Sequence, residues 1–315
     1  MKILLTGGAG FIGSHLAKRL LADGAEVLVA DDLSTGRLEN VPEGARFLKV
    51  NLARPESLRQ LPEERFDAVT HLAGQSSGEK SFDDPDADLA ANGQSTSRLC
   101  RWAIEHRIRT FLYASSMSVY GQVAEYPVPE TAAPCPCSYY GASKLYGESA
   151  CRIASASGLR TVCFRMFNVY GPGQNLANLK QGMVSIYLAY LLQDKPVLVK
   201  GSVERVRDFI YVSDVVAAWQ RALVHPVQGV FNLGSGVPTS VATLLRMLLQ
   251  AAGKDSDYPV EIGPDTPGDQ RAICAEISAI RKALEWEPKV SLDQGLREMV
   301  HWGKSRAAEA NRKNG

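Results

Sequence analysis

The sequence lacks net charge: 35 Lys and Arg against 34 Asp and Glu leave +1 at neutral pH, with the two signs interspersed over 315 residues. Such a chain sets up no field for nucleic acid or an anionic membrane, so any anionic ligand must be held by local groups. It also lacks an apolar run long enough to span a bilayer, and its N-terminus enters a strand directly, without a signal-peptide pattern. The simplest expected address is cytoplasmic, with neither nucleic acid nor membrane as a partner. The cysteines at Cys100, Cys135, Cys137, Cys151, Cys163 and Cys274 have no metal-ligand spacing, and Cys135-Pro-Cys137 has one residue between its thiols rather than two. Reduced, unligated thiols and no metal site are expected. The length is large for one domain and allows a sizeable core, with a smaller domain appended to a main one.

What is present is organised around residues 2–17, an apolar strand that runs into a glycine turn and then an amphipathic helix. Gly7 lets the chain turn sharply, Gly10 lets backbone approach a pyrophosphate, and Gly13 lets the helix lie close on the sheet. A diphosphate there meets unpaired N–H groups at the positive end of the helix dipole. A lone glycine triplet carries little weight. This one has a strand before it, a helix after it, and Asp31 closing the apolar run Glu26-Val-Leu-Val-Ala-Asp31 at about the 20-residue distance such a turn calls for. The predicted fold class is α/β, a Rossmann-type doubly wound parallel sheet. A carboxylate at Asp31 accepts both ribose hydroxyls and repels a 2′-phosphate, which argues for NAD over NADP. Arg37 ends the turn-forming stretch Asp32-Leu33-Ser34-Thr35-Gly36, placed where adenosine would lie, and reads as a solvated loop cation.

Further parallel strands are predicted over 46–50 and 67–72, separated by a short helix that Pro55 starts. They end in Asn51-Leu52 and Ala73-Gly74. Ligands of a doubly wound sheet bind beyond the carboxyl ends of its strands, so Asn51 can reach adenine while Ala73 and Gly74 leave room for cofactor backbone. His71, on an apolar strand beside Leu72, reads as structural. A long helix over 85–106, capped by Asp83 or Asp84, carries Asn92 near its middle, where asparagine is mildly unfavourable and implies a local hydrogen-bonding task. A strand over 110–114, the polar string Ser115-Ser116-Met117-Ser118 and a proline-rich ordered loop over 122–138 then lead into a helix over 139–157.

Tyr140 and Lys144 are four apart on that helix and share one face. An ammonium near a phenol favours the phenolate, moving its pKa down from about 10 and making Tyr140 a candidate general acid/base. Ser116, beyond the end of the preceding strand, can hydrogen-bond the same substrate hydroxyl. Tyr-x-x-x-Lys alone occurs by chance on many amphipathic helices as a surface pair. Downstream of a nucleotide turn, and after a strand ending Ser-Ser, chance is the weaker account.

The stretches Thr6-Gly-Gly-Ala-Gly-Phe-Ile-Gly-Ser14, Asp31-Asp-Leu-Ser-Thr-Gly36, His71-Leu-Ala-Gly74, Ser115-Ser-Met-Ser-Val-Tyr-Gly121, Tyr140-Gly-Ala-Ser-Lys144, Phe167-Asn-Val-Tyr-Gly-Pro-Gly173 and Arg207-Asp-Phe-Ile-Tyr-Val212 together carry a resemblance. Over nearly its whole length the chain resembles the extended short-chain dehydrogenase/reductases that act on nucleotide sugars, in the epimerase branch typified by UDP-glucose 4-epimerase. The resemblance implies an NAD-binding domain over 1–173, with segments at about 205–235 returning to it, and a mainly substrate-binding α/β domain over 174–315 interleaved with it. It implies that Phe11 and Ile12 donate backbone N–H to the diphosphate of NAD, that Asn51 and Leu52 flank adenine, that Asn92 stands in the cofactor pocket, and that Phe167 packs by the nicotinamide. Ser116, Ser118, Asn168, Arg207 and Asp269 become substrate contacts, with Arg207 on the pyrophosphate. Read without the resemblance, Arg207 beside Asp208 is equally a structural ion pair.

The chain departs from that pattern in places. Thr266-Pro-Gly-Asp269 stands where many relatives have a second diphosphate-clamping arginine, and Arg271 is the substitute nearby. Lys200 stands where an aromatic residue often covers uracil. Ile273 falls where a residue lines the pocket beside the sugar's 2-substituent, and its intermediate size leans toward N-acetylated sugars. Relatives that are dehydratases or decarboxylases carry acids where Met117 and Ser118 stand here. What the resemblance implies is a 4-epimerase of nucleotide sugars, a UDP-hexose by preference, built with Tyr140, Lys144 and Ser116 and working as a homodimer through the helices over 85–106 and 139–157. Bacterial surface polysaccharide synthesis is its implied context. The alternatives are a reductase, dehydratase or decarboxylase of the same family and, in another class, a dinucleotide-binding redox sensor without catalysis.

Overall fold

The computed structural model describes the backbone through residue 314 and side chains through residue 309. Alternating strands and helices give β1 (Lys2–Thr6), α1 (Phe11–Ala22), β2 (Glu26–Asp31), β3 (Arg46–Lys49), β4 (Ala68–His71), α2 (Lys80–Asp83), α3 (Pro85–Leu89), α4 (Ser95–Glu105), β5 (Thr110–Ser116), α5 (Tyr139–Ala156) and β6 (Arg160–Met166). The chain continues through β7 (Asn168–Tyr170), α6 (Met183–Leu192), β8 (Val197–Lys200), β9 (Val206–Tyr211), α7 (Val212–Val224), β10 (Gly229–Leu233), β11 (Pro238–Ser240), α8 (Val241–Ala252), β12 (Val260–Gly263), α9 (Ser278–Leu284) and α10 (Leu292–Asn314).

Seven strands form one sheet in the order β10-β6-β5-β4-β1-β2-β3, and every pair in it is parallel. This is the doubly wound α/β sheet that the sequence predicts. Strand order reverses between β1 and β4, so the ends of those strands at Thr6 and His71 flank the switch-point crevice where such sheets bind ligands. The inner strands are apolar on both sides because both faces are covered. Leu16, Ala17 and Leu20 of α1 and Trp219 of α7 close one face; Leu99, Trp102 and Ala103 of α4 with Cys151 and Ala154 of α5 close the other. A third core joins α6, α8 and α10 through Tyr187, Leu188, Leu244, Leu248, Leu296 and Met299, over the small sheets β11-β9-β7 and β12-β8.

The helix predicted over 85–106 is present as an unbroken run of helical backbone over 85–105, with one local change of hydrogen-bond pattern. Asp84 caps α3 by accepting from the Ala87 N–H at 2.9 Å, and residues Ala90–Gln94 widen into one turn of π-helix before α4 begins. Such turns concentrate at functional sites. Strand β5 runs to Ser116 rather than stopping at 114, so Ser116 is its last residue instead of lying beyond it. Strand β6 has no counterpart in the sequence reading, because Arg160 and Arg165 interrupt its apolar run while Arg165 is nonetheless buried. Among the described residues no helix is long and apolar enough to cross a membrane.

Candidate active site

The turn after β1 is set by close backbone approach. Gly7 has φ +72°, and a Cβ there would meet the Ala73 amide nitrogen at 2.5 Å. A Cβ on Gly13 would sit 2.8 Å from the Gly8 Cα, so the helix touches the turn that precedes it. Gly10, the N-cap of α1, gives no side-chain cap, which leaves the first-turn amides of Phe11 and Ile12 to an external acceptor. Beside this turn, Asp31 Oδ2 accepts from the Ala9 N–H at 3.0 Å and Oδ1 from the Leu33 N–H at 2.8 Å. Burial pushes the Asp31 carboxyl up, and those N–H groups offset it in part. Asp32 folds its loop by accepting from the Ser34 N–H at 2.9 Å, Ser34 and Thr35 are exposed, and Gly36 packs on Ala9. Arg37 is exposed and faces Glu39 at 3.4 Å, in keeping with a solvated cation.

A cavity of about 380 Å³ opens next to this loop, lined by Asp32, Lys49, Val50, Asn51, Arg54 and Ser57 among others. Leu52 is buried beneath it, and Asn51 Oδ1 caps its own turn through the Ala53 N–H at 2.9 Å. At the other end of the crevice Asn92 is 1 % exposed, and its Oδ1 is a buried acceptor without a partner among the described residues, facing the bare Cα of Gly74. Leu72 and Ala73 border the same edge, and Phe167 is buried behind it. An uncapped helix start, a carboxylate at the end of β2, a cavity beyond it and an orphaned amide oxygen at the far end fit a dinucleotide lying across the switch point.

Lys144 is buried, with Nζ donating to the Ala114 carbonyl at 2.9 Å and lying 5.3 Å from the Tyr113 ring centre and 5.8 Å from that of Tyr140. Burial lowers its pKa to about 8. Tyr140 is half-buried, and here the expected direction is reversed: removal from water pushes the phenol up to about 12, only partly offset by a hydrogen bond with Ser116. Proximity to Lys144 on the helix face is real, but desolvation of the phenolate outweighs it. Ser116 Oγ accepts from the Ser118 N–H at 3.2 Å, which fixes it at the end of β5. His71 is the structural histidine the sequence suggests: it is fully buried between Thr6 Oγ1 at 2.7 Å and Thr96 Oγ1 at 3.0 Å, and burial holds its pKa near 3.

On the opposite side Asn168 Nδ2 donates to the Asp208 carbonyl at 3.1 Å and touches the Met117 sulfur at 3.6 Å. Arg207 does not pair with its neighbour Asp208, whose carboxylate is taken by Ser235, Gly236 and Ala275. It pairs instead with Asp269 at 2.6 Å, and Arg205 binds the same carboxylate. Arg205 is thus the second guanidinium beside Arg207; Arg271 is exposed and stands outside the cluster. Lys200 is tied to Glu79 at 2.7 Å across the crevice. Ile273 does not line the pocket that its place in the motif implies. It is fully buried, with its N–H bonded to the Val206 carbonyl at 3.1 Å and its side chain in the main core, so it presents no surface to a ligand. The sequence reading also passed over Arg205, Gln75, Ser143 and Asp88. For Asp88 a signal existed, since it precedes Asn92 by one helical turn.

The family model described as the NAD dependent epimerase/dehydratase family matches residues 3–234. The UDP-glucose 4-epimerase of Mycolicibacterium smegmatis is 35% identical over 316 residues, covering 98% of this chain and 100% of that protein. The structure of the UDP-glucose 4-epimerase of Thermotoga maritima with UDP-glucose superposes with a TM-score of 0.93 at 34% identity, covering 98% of this chain and 100% of that one. That of the UDP-glucuronic acid 4-epimerase of Bacillus cereus, with UDP-glucuronic acid and NAD, gives 0.87 at 28% identity, covering 97% and 100%. With the switch-point crevice and the Ser116–Tyr140–Lys144 cluster behind them, these matches show that the chain belongs to the NAD-dependent epimerase/dehydratase family.

Proposed function

We propose that this protein is a nucleotide-sugar 4-epimerase acting on a UDP-hexose with NAD held through the cycle. The observation that carries the reading is the convergence of Tyr140, Lys144 and Ser116 at the carboxyl end of β5, beside a crevice suited to a dinucleotide. Phe11 and Ile12 amides would hold the diphosphate of NAD, Asp31 its adenosine ribose, and Asn92 Oδ1 its nicotinamide end. NAD, when bound, supplies reversible hydride transfer at carbon 4 of the sugar. Tyr140 Oη takes the proton of the 4-hydroxyl and returns it after the 4-keto sugar has turned over in the site. Ser116 Oγ orients that oxygen, and the Lys144 ammonium, 5.8 Å from the Tyr140 ring centre, favours the phenolate against the cost of burial. Arg207 and Arg205, two cations sharing one carboxylate, leave a net positive charge suited to the substrate's diphosphate.

A dehydratase or decarboxylase needs an added acid beside the sugar, and the residues after Ser116 are Met117 and Ser118. With Ile273 in the core, the argument for an N-acetylated sugar falls away, and the substituent at carbon 2 is left to assay. Tyr139, Tyr146 and Ile153 lie exposed at seven-residue spacing on α5, which supports a homodimer through that helix.

Purified protein is incubated, without added cofactor, with UDP-linked glucose, N-acetylglucosamine and glucuronate, and products are read by anion exchange and proton NMR. A 4-epimer from one of them is the expected result. No epimer, together with consumption of added NADH against a 4-keto sugar, would make the protein a reductase and end the reading.

A further inference from the structure

Asp88 has almost no contact with solvent, at 1 % exposure near the end of α3, and the chemistry above makes no use of it. Its Oδ2 accepts from Ser143 Oγ at 2.5 Å, while Oδ1 accepts from Gln75 Nε2 at 2.7 Å and Asn92 Nδ2 at 3.2 Å. The donors come from separate pieces of chain: the helix α5 that bears Tyr140 and Lys144, the loop after β4, and the π turn. Ser143 lies between Tyr140 and Lys144, and its Oγ is also 3.0 Å from the Tyr140 carbonyl. Gln75 in turn donates to the Ser77 carbonyl at 2.7 Å, and Ser77 Oγ donates to the Lys180 carbonyl at 3.0 Å, so the connection reaches the segment preceding α6. A carboxylate buried among neutral donors would be costly without a return elsewhere.

We propose that Asp88 is a positioning residue of the reaction, its carboxylate fixing the Tyr140–Lys144 face of α5 against both Asn92 and the Gln75 loop, and supplying, among the described residues, the one negative charge that faces the catalytic pair. The inference rests on the epimerase reading. The field of Asp88 acts in one direction on both members: it favours the ammonium of Lys144 and disfavours the phenolate of Tyr140. The other titratable groups facing the pair are His71 on β4, Tyr113 on β5 and, behind Tyr113, Cys151 of α5 and Cys163 of β6. Burial keeps His71, Tyr113 and Cys151 uncharged near neutral pH.

The test compares Asp88→Asn and Asp88→Glu with the wild type, following turnover against pH and, separately, the near-ultraviolet tyrosinate signal of Tyr140, isolated by subtracting the matching Tyr140→Phe protein. Asp88→Asn removes the charge, so the tyrosinate midpoint and both limbs of the turnover profile move to lower pH. Its kcat at the optimum falls by about 10²-fold through loss of position. Asp88→Glu keeps the charge and displaces the carboxylate by one methylene, so its midpoint returns to that of the wild type while kcat stays reduced. Should Asp88→Asn fail to fold, Asp88→Glu carries the test alone: a wild-type midpoint with reduced kcat supports the assignment, and undiminished kcat overturns it. An unmoved midpoint in folded Asp88→Asn also overturns it, since a merely structural residue lowers stability without moving a titration. A wild type that epimerises none of the sugars defeats the epimerase reading instead, and the tyrosinate titration still decides whether Asp88 faces Tyr140.

Discussion

The Lys144 ammonium lies 5.8 Å from the centre of the Tyr140 ring, held there by a 2.9 Å hydrogen bond to the Ala114 carbonyl. With that anchor on β5 the cation cannot swing out to solvent, so the phenol always faces it. Tyr140→Phe leaves the crevice intact and removes the proposed proton acceptor. Turnover is expected to fall about 10²- to 10⁴-fold with NAD content of the purified protein unchanged. Loss of NAD together with activity would move Tyr140 from the chemistry to the binding of the cofactor.

The same pair sets an alkaline limit. Burial brings the Lys144 pKa down to about 8, so its positive charge fades as pH rises through that value, and with it the stabilisation of the Tyr140 phenolate. Turnover is therefore expected to decline above about pH 8, at a midpoint that cofactor charge can shift. Lys144→Arg holds its charge throughout and removes the decline, whatever its absolute rate. An alkaline limb unchanged in that variant would assign the limit to another group.

Glu148 and Arg165 form a second connection under the site. Their side chains are 6% and 5% exposed and 2.8 Å apart, and Ser115, the neighbour of Ser116, donates to the same carboxylate at 2.5 Å. Arg165 also lies over the Tyr120 ring at 4.6 Å. Removing one partner strands the other charge in a dry core, so Glu148→Leu is expected to cost ~3–5 kcal/mol of stability in urea titration. Adding Arg165→Met should recover much of that loss, because the stranded guanidinium goes with it. A double variant as unstable as the single one would place the cost in packing rather than in charge.

His71 makes stability depend on acid. The Thr96 hydroxyl donates to the Asn92 carbonyl at 2.5 Å and the Ala73 N–H donates to Thr6 Oγ1 at 3.2 Å. The neutral ring with hydrogen on Nε2 therefore satisfies every partner, donating to Thr96 and accepting from Thr6. Its folded pKa is about 3 against 6.5 for the free side chain. Between those values the unfolded chain binds the proton and the folded one does not, so stability falls as pH drops from about 6.5 toward 3, by at most ~1.4 kcal/mol per unit. His71→Gln should show a shallower slope over that window in thermal melts, and an equal slope would exclude His71 as its source.

Much of this was readable in order along the chain. Strand, glycine turn, helix and Asp31 fall within 31 residues and are local in cause, so β1, α1 and β2 could be placed from periodicity and backbone freedom alone. What escaped has causes distant in sequence. The Arg205–Asp269 contact spans 64 positions and the Asp88–Ser143 contact 55, and neither leaves a local trace. The π turn at Asn92 answers to partners on α5, not to helix propensity. Tyr140 shows the other limit: spacing told that Lys144 is its neighbour, but the sign of its pKa shift depends on how much water the fold removes. Ile273 has a pocket position in the motif, and burial of its side chain in the main core decides otherwise.

The face of α5 turned from the site carries an exposed apolar strip. Tyr139, Tyr146 and Ile153 are 50%, 48% and 66% exposed at heptad spacing, and Phe82 of α2 meets Tyr139 edge-on at 5.4 Å. Leu89 and Tyr146 also close over Gly93, where a Cβ would meet either side chain at 2.9 Å, so the apolar strip continues from α5 onto the π turn. A monomer would leave that strip in water, whereas a second copy related by a two-fold axis lays α5 against itself and buries it twice. Sedimentation at micromolar concentration is expected to give a dimer, and Ile153→Asp, which puts a charge at the most exposed point of the seam, a monomer with turnover per site retained. A wild type sedimenting as a monomer would leave the strip to some other cover, while an Ile153→Asp protein that stays dimeric would move the interface off this helix face.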